Sequence, residues 1–91
     1  MNSKYIIDSK IFKAFCDENR LYILNLLKEE ELCACKLIEL TNIKQSRLSY
    51  HIKILIEAGV INVRCDSKWN YYSINKECNK HIIDLINKYI I

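Results

Sequence analysis

The chain has 91 residues, of which 51% are hydrophobic and 27% charged, with no proline, one glycine and a formal net charge of +3. This composition is typical of one helix-rich domain and argues against a disordered chain or an all-β fold. The apolar runs are too short to span a membrane and no secretory signal is present, so we expect a cytoplasmic protein. Five cysteines, an odd number, fit poorly with a closed set of disulfides.

Helical periodicity predicts three helices in the first half of the chain. Apolar residues recur at helical spacing from Ile7 to Phe15, and a polar break at residues 17–19 separates them from a second stripe. The second stripe ends at the acidic run Glu29 to Glu31. Leu32 to Leu40 form a third, short helical pattern that ends at Asn42.

A fourth helix, a β-hairpin and a last helix follow. Leu48, Ile52, Leu55 and Ile56 form one apolar stripe over residues 45–58, and Gly59 ends it. The segments VINVRC and WNYYSI flank DSK, which predicts a hairpin with a turn that lacks glycine, so a residue such as Asp66 must tolerate any positive φ. Helical spacing returns over residues 76–90.

This order predicts a winged helix-turn-helix, a mainly α fold with a two-stranded β wing (α+β). We expect a single domain over residues 1–91, with the helix-turn-helix at about 33–58, the wing at about 60–74 and the last helix at about 76–90.

The polar side of the predicted fourth helix suits DNA, because its N-terminal part carries groups that can reach base edges and phosphates. Basic residues of the wing would contact the DNA backbone or the minor groove. The sequence therefore predicts a double-stranded DNA interface made of Lys44, Gln45, Ser46, Arg47, Ser49, Tyr50, His51, Lys53, Arg64 and Lys68. Two alternatives stay open: these polar residues would also suit a solvated helix face, and His51 would also suit a hydrogen-bonded structural role.

Four segments carry a family resemblance. FKAFCDENRLYILNLL, ELCACKL, SRLSYHIKILIEAGVI and KWNYYSI resemble, in order and spacing, the ArsR/SmtB family of arsenic- and metal-responsive repressors. The resemblance runs from about Phe12 to Ile74, with Ser67 where the wing commonly has glycine. It implies a homodimer, formed through the first and last helices, that blocks an operator and releases it when a metal or metalloid ion binds.

The segment ELCACKL matches the effector site of arsenic and soft-metal sensors, which carry ELCVCDLC or ELCVCDI. The resemblance implies that Cys33 and Cys35 bind arsenite, antimonite or a soft divalent ion such as cadmium, lead or zinc. Ile38 stands where the arsenic form has a third cysteine, so the third ligand is open between Cys16 and an exogenous thiol. Residues i and i+2 of a regular helix point about 200° apart, so one ion reaches both thiolates only where the helix is distorted.

Several alternatives remain. Cys33 and Cys35 could instead be two small buried residues that bind no ion. Cys65 would be a structural or oxidation-prone thiol in the wing. A second metal site on the last helix would use Cys78, His81 and Asp84. The main functional alternative is a repressor that responds to thiol oxidation instead of an ion. We do not expect an enzyme, because the chain has no CxxC motif and no glycine-rich phosphate loop.

Overall fold

In the computed structural model, which describes residues 2–91, the chain forms five α-helices and a three-stranded antiparallel sheet. The elements in chain order are α1 Ser3–Ala14, α2 Glu18–Glu29, β1 Leu32–Cys33, α3 Ala34–Thr41, α4 Gln45–Glu57, β2 Ile61–Asp66, β3 Trp69–Ile74 and α5 Asn79–Ile90. A 3-10 turn, Lys76–Cys78, leads into α5. The winged helix-turn-helix predicted from the sequence is therefore confirmed. None of these helices is long and apolar enough to cross a membrane.

Polar caps and left-handed residues set the ends of the helices. The Asp17 carboxylate accepts hydrogen bonds from the backbone N–H groups of Asn19 at 2.7 Å and Arg20 at 3.3 Å, and these bonds start α2. Asn42 ends α3 with φ 60°, and Gly59 follows α4 with φ 76°. The turn between α3 and α4 is thus fixed by local chemistry, as the sequence indicated.

Three predicted helix starts differ from the structure, and one of them is that of the last helix, since residues 76–78 form a 3-10 turn and α5 begins at Asn79. α1 begins at Ser3 rather than near Ile7, because the Asn2 side chain caps it by accepting from the Lys4 N–H at 2.8 Å. The third helix begins at Ala34, not at Leu32, because Leu32 and Cys33 form the strand β1 and pair with Tyr72 and Tyr71 of β3. The predicted two-stranded wing is consequently part of a three-stranded sheet with the order β1-β3-β2.

The hairpin turn also differs from expectation. Ser67, not Asp66, has the positive φ, at 56°, while Asp66 pairs with Trp69 as the last residue pair of the hairpin. A two-residue turn between strands commonly needs a positive φ at its centre, and glycine adopts it without steric cost. Ser67 therefore occupies the position where related wings commonly carry glycine.

The core lies between the helices and the inner face of the sheet. Of the predicted α4 stripe, Ile56 is 37% exposed, whereas Leu48, Ile52 and Leu55 are all buried. They pack with buried residues from the rest of the fold, namely Ala14, Ile23, Leu27, Leu32, Leu37, Val60, Ile61 and Tyr72. This core holds α4 with its opposite side toward solvent.

Candidate DNA interface and cysteine site

The predicted DNA-binding residues lie mainly on one exposed surface. Nine of the ten side chains are exposed: Lys44, Gln45, Ser46, Arg47, Ser49, Tyr50, Lys53, Arg64 and Lys68. Seven of them belong to α4 or to the residue before it, and the other two lie on the wing. The arrangement offers cations and hydrogen-bonding groups without disturbing the buried side of α4.

His51 is the exception, because its side chain is buried and only 2% exposed. Its Nδ1 lies 3.0 Å from Nη1 of the buried Arg20, and its Nε2 lies 4.0 Å from the Asp17 carboxylate. Since a guanidinium can only donate, Nδ1 accepts and the neutral imidazole carries its proton on Nε2. His51 therefore has the structural role, and its assignment as a DNA contact is corrected.

Arg20 connects three helices through this contact. Its Nε donates to the Ala14 carbonyl at 3.1 Å and its Nη2 to the Lys13 carbonyl at 3.0 Å, both at the end of α1. The third donor reaches His51 on α4. Burial lowers the pKa of His51; the Asp17 carboxylate opposes this shift, and the charges of Arg20 and Arg47 add to it. The imidazole at the centre of α4 is thus kept neutral.

The wing carries a second polar cluster. Two Arg64 donors, Nη2 and Nε, reach the two Glu31 oxygens at 2.7 and 3.2 Å, and the guanidinium lies 4.7 Å from the centre of the Tyr71 ring. At the wing tip, the Lys68 ammonium lies 5.8 Å from the centre of the Trp69 ring, which is 47% exposed. The wing thus presents cations, and one of them already has an anionic partner.

The two cysteines of ELCACKL lie in different backbone environments. Cys33 is the N-cap residue of α3 with extended backbone, φ −82° and ψ 164°, and its side chain is half-buried. Cys35 lies in the first turn of α3 and is exposed. Because Cys33 precedes the helix, the opposed directions of two residues inside a regular helix do not apply to this pair. Helical geometry therefore does not forbid a shared ion.

Within the described part of one chain, no third ligand joins the pair. Among residues 2–91, no three or more histidine, cysteine, aspartate or glutamate side chains are grouped so that they could hold a metal ion. Cys16 is exposed at the bend after α1 and does not complete such a group with Cys33 and Cys35. Cys78, His81 and Asp84 do not form one either, so the second site suggested by their spacing is not formed as a three-ligand group in a single protomer.

The outer faces of α1 and α5 expose an apolar surface. We call it the terminal-helix surface; its exposed members are Tyr5, Ile6, Ile7, Phe12, Ile83, Ile86, Tyr89 and Ile90. The buried Asp8 carboxylate links the two helices, accepting from the Tyr89 hydroxyl at 2.6 Å and from the Lys88 ammonium at 2.9 Å. These bonds lower the pKa of Asp8, the one from Tyr89 most strongly. An exposed surface of this kind is typical of a protein interface.

Comparison with known proteins identifies the family. The family described as "Bacterial regulatory protein, arsR family" matches residues 17–63, from the cap of α2 into β2. The chain belongs to this ArsR family. It is a DNA-binding transcriptional repressor with a winged helix-turn-helix fold.

Relatives of this ArsR-family protein cover most of its length. An uncharacterised HTH-type transcriptional regulator of Methanocaldococcus jannaschii is 41% identical over 86 residues, covering 93% of this chain and 97% of the relative. The arsenical resistance operon repressor of Staphylococcus aureus is 38% identical over 79 residues, covering 87% and 76% of the two chains. All of these relatives are regulators of transcription, and no enzyme family is indicated.

Solved structures agree with the fold. HlyU of Vibrio cholerae is 28% identical with a TM-score of 0.73, and the match covers 100% of both chains. A homodimeric winged helix-turn-helix DNA-binding domain of Mycobacterium bovis has a TM-score of 0.78 at 22% identity, covering 94% of this chain and 80% of that one. The second likeness supports the fold alone.

Sequence reasoning missed several residues of these clusters. Arg20 was not singled out, although a cation within an otherwise apolar helical stripe signals a buried partner. Glu31 was assigned only to the acidic run that ends the second stripe, yet it contacts Arg64. No sequence signal indicated that contact, because the two residues are 33 positions apart.

Proposed function

We propose that this ArsR-family repressor binds its operator as a homodimer in the cytoplasm and releases it when a soft ion binds Cys33 and Cys35. The effector class is arsenite or antimonite, or a soft divalent ion such as cadmium, lead or zinc. The observation that carries this proposal is the position of the cysteine pair, with Cys33 just before α3 and Cys35 in its first turn. α3 is the helix that precedes the turn into α4.

The chemistry of the pair fits a thiophilic ion. Arsenite and antimonite favour thiolate ligands, and cadmium, lead and zinc accept thiolates together with nitrogen or oxygen. The pair is accessible, since Cys35 is exposed and Cys33 half-buried. Two relatives support the same effector class by name, the arsenical resistance operon repressor of Bacillus subtilis and a cadmium resistance regulator homologue of Staphylococcus aureus.

The missing third ligand has two proposed sources. Cys16 of the second protomer is one, because this thiol is exposed and lies directly after α1, one of the two helices that form the terminal-helix surface. A small exogenous thiol is the other. The two sources are distinguished by counting the thiols that arsenite protects in the parent protein and in Cys16→Ser. One fewer protected thiol per site in Cys16→Ser supports Cys16 as the ligand, and an equal number supports the exogenous thiol.

DNA binding is proposed to use the nine exposed predicted residues. Gln45, Ser46, Arg47, Ser49 and Tyr50 would face the major groove from the start of α4. Lys44 and Lys53 would contact phosphates, as would Arg64 and Lys68 on the wing. The homodimer is proposed to form through the terminal-helix surface, which would place two copies of α4 on successive half-sites.

The test combines a double substitution with an operator-release titration. Cys33→Ser with Cys35→Ser should bind the upstream DNA of its own gene with unchanged affinity, and arsenite should no longer release it. The control is Cys65→Ser, which removes an exposed thiol of the wing and should respond normally. If arsenite released the double variant as readily as the parent protein, the site would not be at this pair. Antimonite, cadmium, lead and zinc in the same assay identify the preferred ion.

A redox-responsive repressor is the second candidate. Three exposed thiols favour it, those of Cys16, Cys35 and Cys65, and the similar HlyU of Vibrio cholerae has been solved in a reduced form. Exposure is a requirement for reversible thiol oxidation. Release by peroxide or polysulfide, together with indifference to all five ions, would establish this candidate in place of ion sensing.

A further inference from the structure

The cysteine segment and the wing are joined in one row of the sheet. Cys33 of β1 lies opposite Tyr71 of β3, and Tyr71 lies opposite Arg64 of β2. Side chains of directly opposed residues project to the same face of a sheet. The guanidinium of Arg64 lies over the Tyr71 ring on this face, at 4.7 Å from its centre.

Glu31, the residue just before β1, contacts Arg64 of this row. Its two carboxylate oxygens receive Nη2 and Nε of Arg64 at 2.7 and 3.2 Å, a bidentate contact between side chains that are 36% and 53% exposed. The two side chains carry opposite charges, so these are charge-assisted hydrogen bonds. Arg64 is therefore a wing cation that is held by an internal anion in the protein without DNA.

A DNA phosphate would use the same edge of the guanidinium. Carboxylate and phosphate both bind the paired N–H groups of arginine in bidentate geometry, so one edge serves one anion at a time. Lys68, the other wing cation, lies over Trp69 instead and has no carboxylate in that contact. To contact DNA, Arg64 must therefore break an ion pair, whereas Lys68 must leave only the Trp69 ring.

We propose that Glu31 competes with operator phosphates for Arg64, and that the cysteine segment sets the outcome of this competition. The second part rests on the proposed function, since it takes Cys33 and Cys35 as the effector site. Glu31 is two residues before Cys33, so an ion that fixes both thiolates also restricts the backbone that carries Glu31. A restricted carboxylate loses less conformational entropy on pairing, which favours the Glu31–Arg64 contact over the phosphate. By linkage, DNA that takes Arg64 weakens the ion site by the same factor.

The competition is tested first without any effector, in a double-mutant cycle on the full-length dimer. Glu31→Gln removes the competing charge, and Glu30→Gln is the matched control because it makes the same charge change at an exposed neighbour. We expect Glu31→Gln to bind the operator roughly two- to fivefold more tightly than Glu30→Gln, a range set by the strength of exposed ion pairs. In an Arg64→Gln background the two variants should bind equally.

The salt dependence provides a second readout. Where Glu31→Gln lets Arg64 contact a phosphate more often, with Asp66 at 3.8 Å as the remaining carboxylate, the slope of log affinity against log salt should steepen by at most about 0.9, the value for one complete phosphate contact. Equal affinities of Glu31→Gln and Glu30→Gln with Arg64 present would overturn the competition. So would a gain from Glu31→Gln that persists undiminished in the Arg64→Gln background.

The link to the cysteines is tested by adding arsenite to the same proteins. The ratio of operator Kd with and without arsenite should be smaller for Glu31→Gln than for Glu30→Gln, while the number of arsenite ions bound stays unchanged. An unchanged ratio would overturn the link but not the competition. A parent protein that binds DNA and ignores arsenite would overturn the effector assignment and the link together, and the cycle without arsenite would still decide the competition.

Discussion

The buried guanidinium of Arg20 makes contacts whose loss should destabilise the fold. Arg20→Met keeps the aliphatic stem and removes the donors to Ala14, Lys13 and His51. The Lys13 carbonyl still accepts from the Cys16 N–H at 3.0 Å, so two buried acceptors lose their charged donor, the Ala14 carbonyl and Nδ1 of His51. The substitution therefore acts on the end of α1 and on the middle of α4 at once.

The magnitude follows from those two acceptors. A buried polar group without a partner costs about 1–3 kcal/mol, and relief of the buried charge offsets part of the sum. We expect the free energy of unfolding to fall by about 2–4 kcal/mol, measured by urea denaturation at one fixed protomer concentration, because dimerisation contributes to stability.

Arg47→Met is the matched control, since Arg47 is an exposed arginine on α4. It should change the free energy of unfolding by less than about 0.5 kcal/mol, although it should weaken operator binding. If Arg20→Met lost less than about 1 kcal/mol, the guanidinium would not be holding α1 and α4 together, and the reasoning from unsatisfied acceptors would fail.

Three more predictions concern the turn, the imidazole and the dimer. Ser67→Gly should raise the free energy of unfolding by about 0.5–1 kcal/mol, because φ 56° is strained for serine, whereas Lys68→Gly in the same turn should lower it, as thermal melts would show. His51 has a folded pKa below the unfolded value of 6.5, so its contribution to stability is present above pH 6.5 and is lost as the pH falls below that value. Urea denaturation at several pH values from 7.5 to 5 should show this loss of stability. The loss should be smaller in His51→Gln. Ile83→Glu on the terminal-helix surface should yield monomers in sedimentation at concentrations where Lys80→Glu stays dimeric, because Ile83 is 58% exposed in the single chain. A pH profile unaltered by His51→Gln, or a dimeric Ile83→Glu, would contradict the corresponding assignment.

The parts of the fold that depend on local pattern were predictable. The α4 stripe follows from helical spacing, and its end follows from Gly59, the only glycine in the chain. The hairpin follows from two β-branched and aromatic segments around a polar turn. Each of these features is decided within about fifteen residues, which is the range over which a single sequence carries a clear periodic signal.

The parts that depend on distant partners were not predictable in this way. β1 is only two residues long and exists because Leu32 and Cys33 meet β3, some forty positions later. His51 lies between the apolar and polar faces of its helix, and Arg20, 31 positions away, decides which of its two roles it takes. The candidate site was located from the spacing of Cys33 and Cys35 and the family resemblance, but the extended backbone at Cys33 became evident only with β1 in place.

The exposed tryptophan at the wing tip gives this protein an intrinsic optical label. Trp69 is the only tryptophan in the chain, and it lies next to the turn of the hairpin as the first residue of β3. Within one protomer its emission is therefore free of overlapping signals from other indoles. Quenching or a spectral shift on adding DNA would follow the approach of the wing itself, in real time and without an attached dye. Stopped-flow traces could then resolve whether the wing leaves DNA before or after the rest of the protein dissociates.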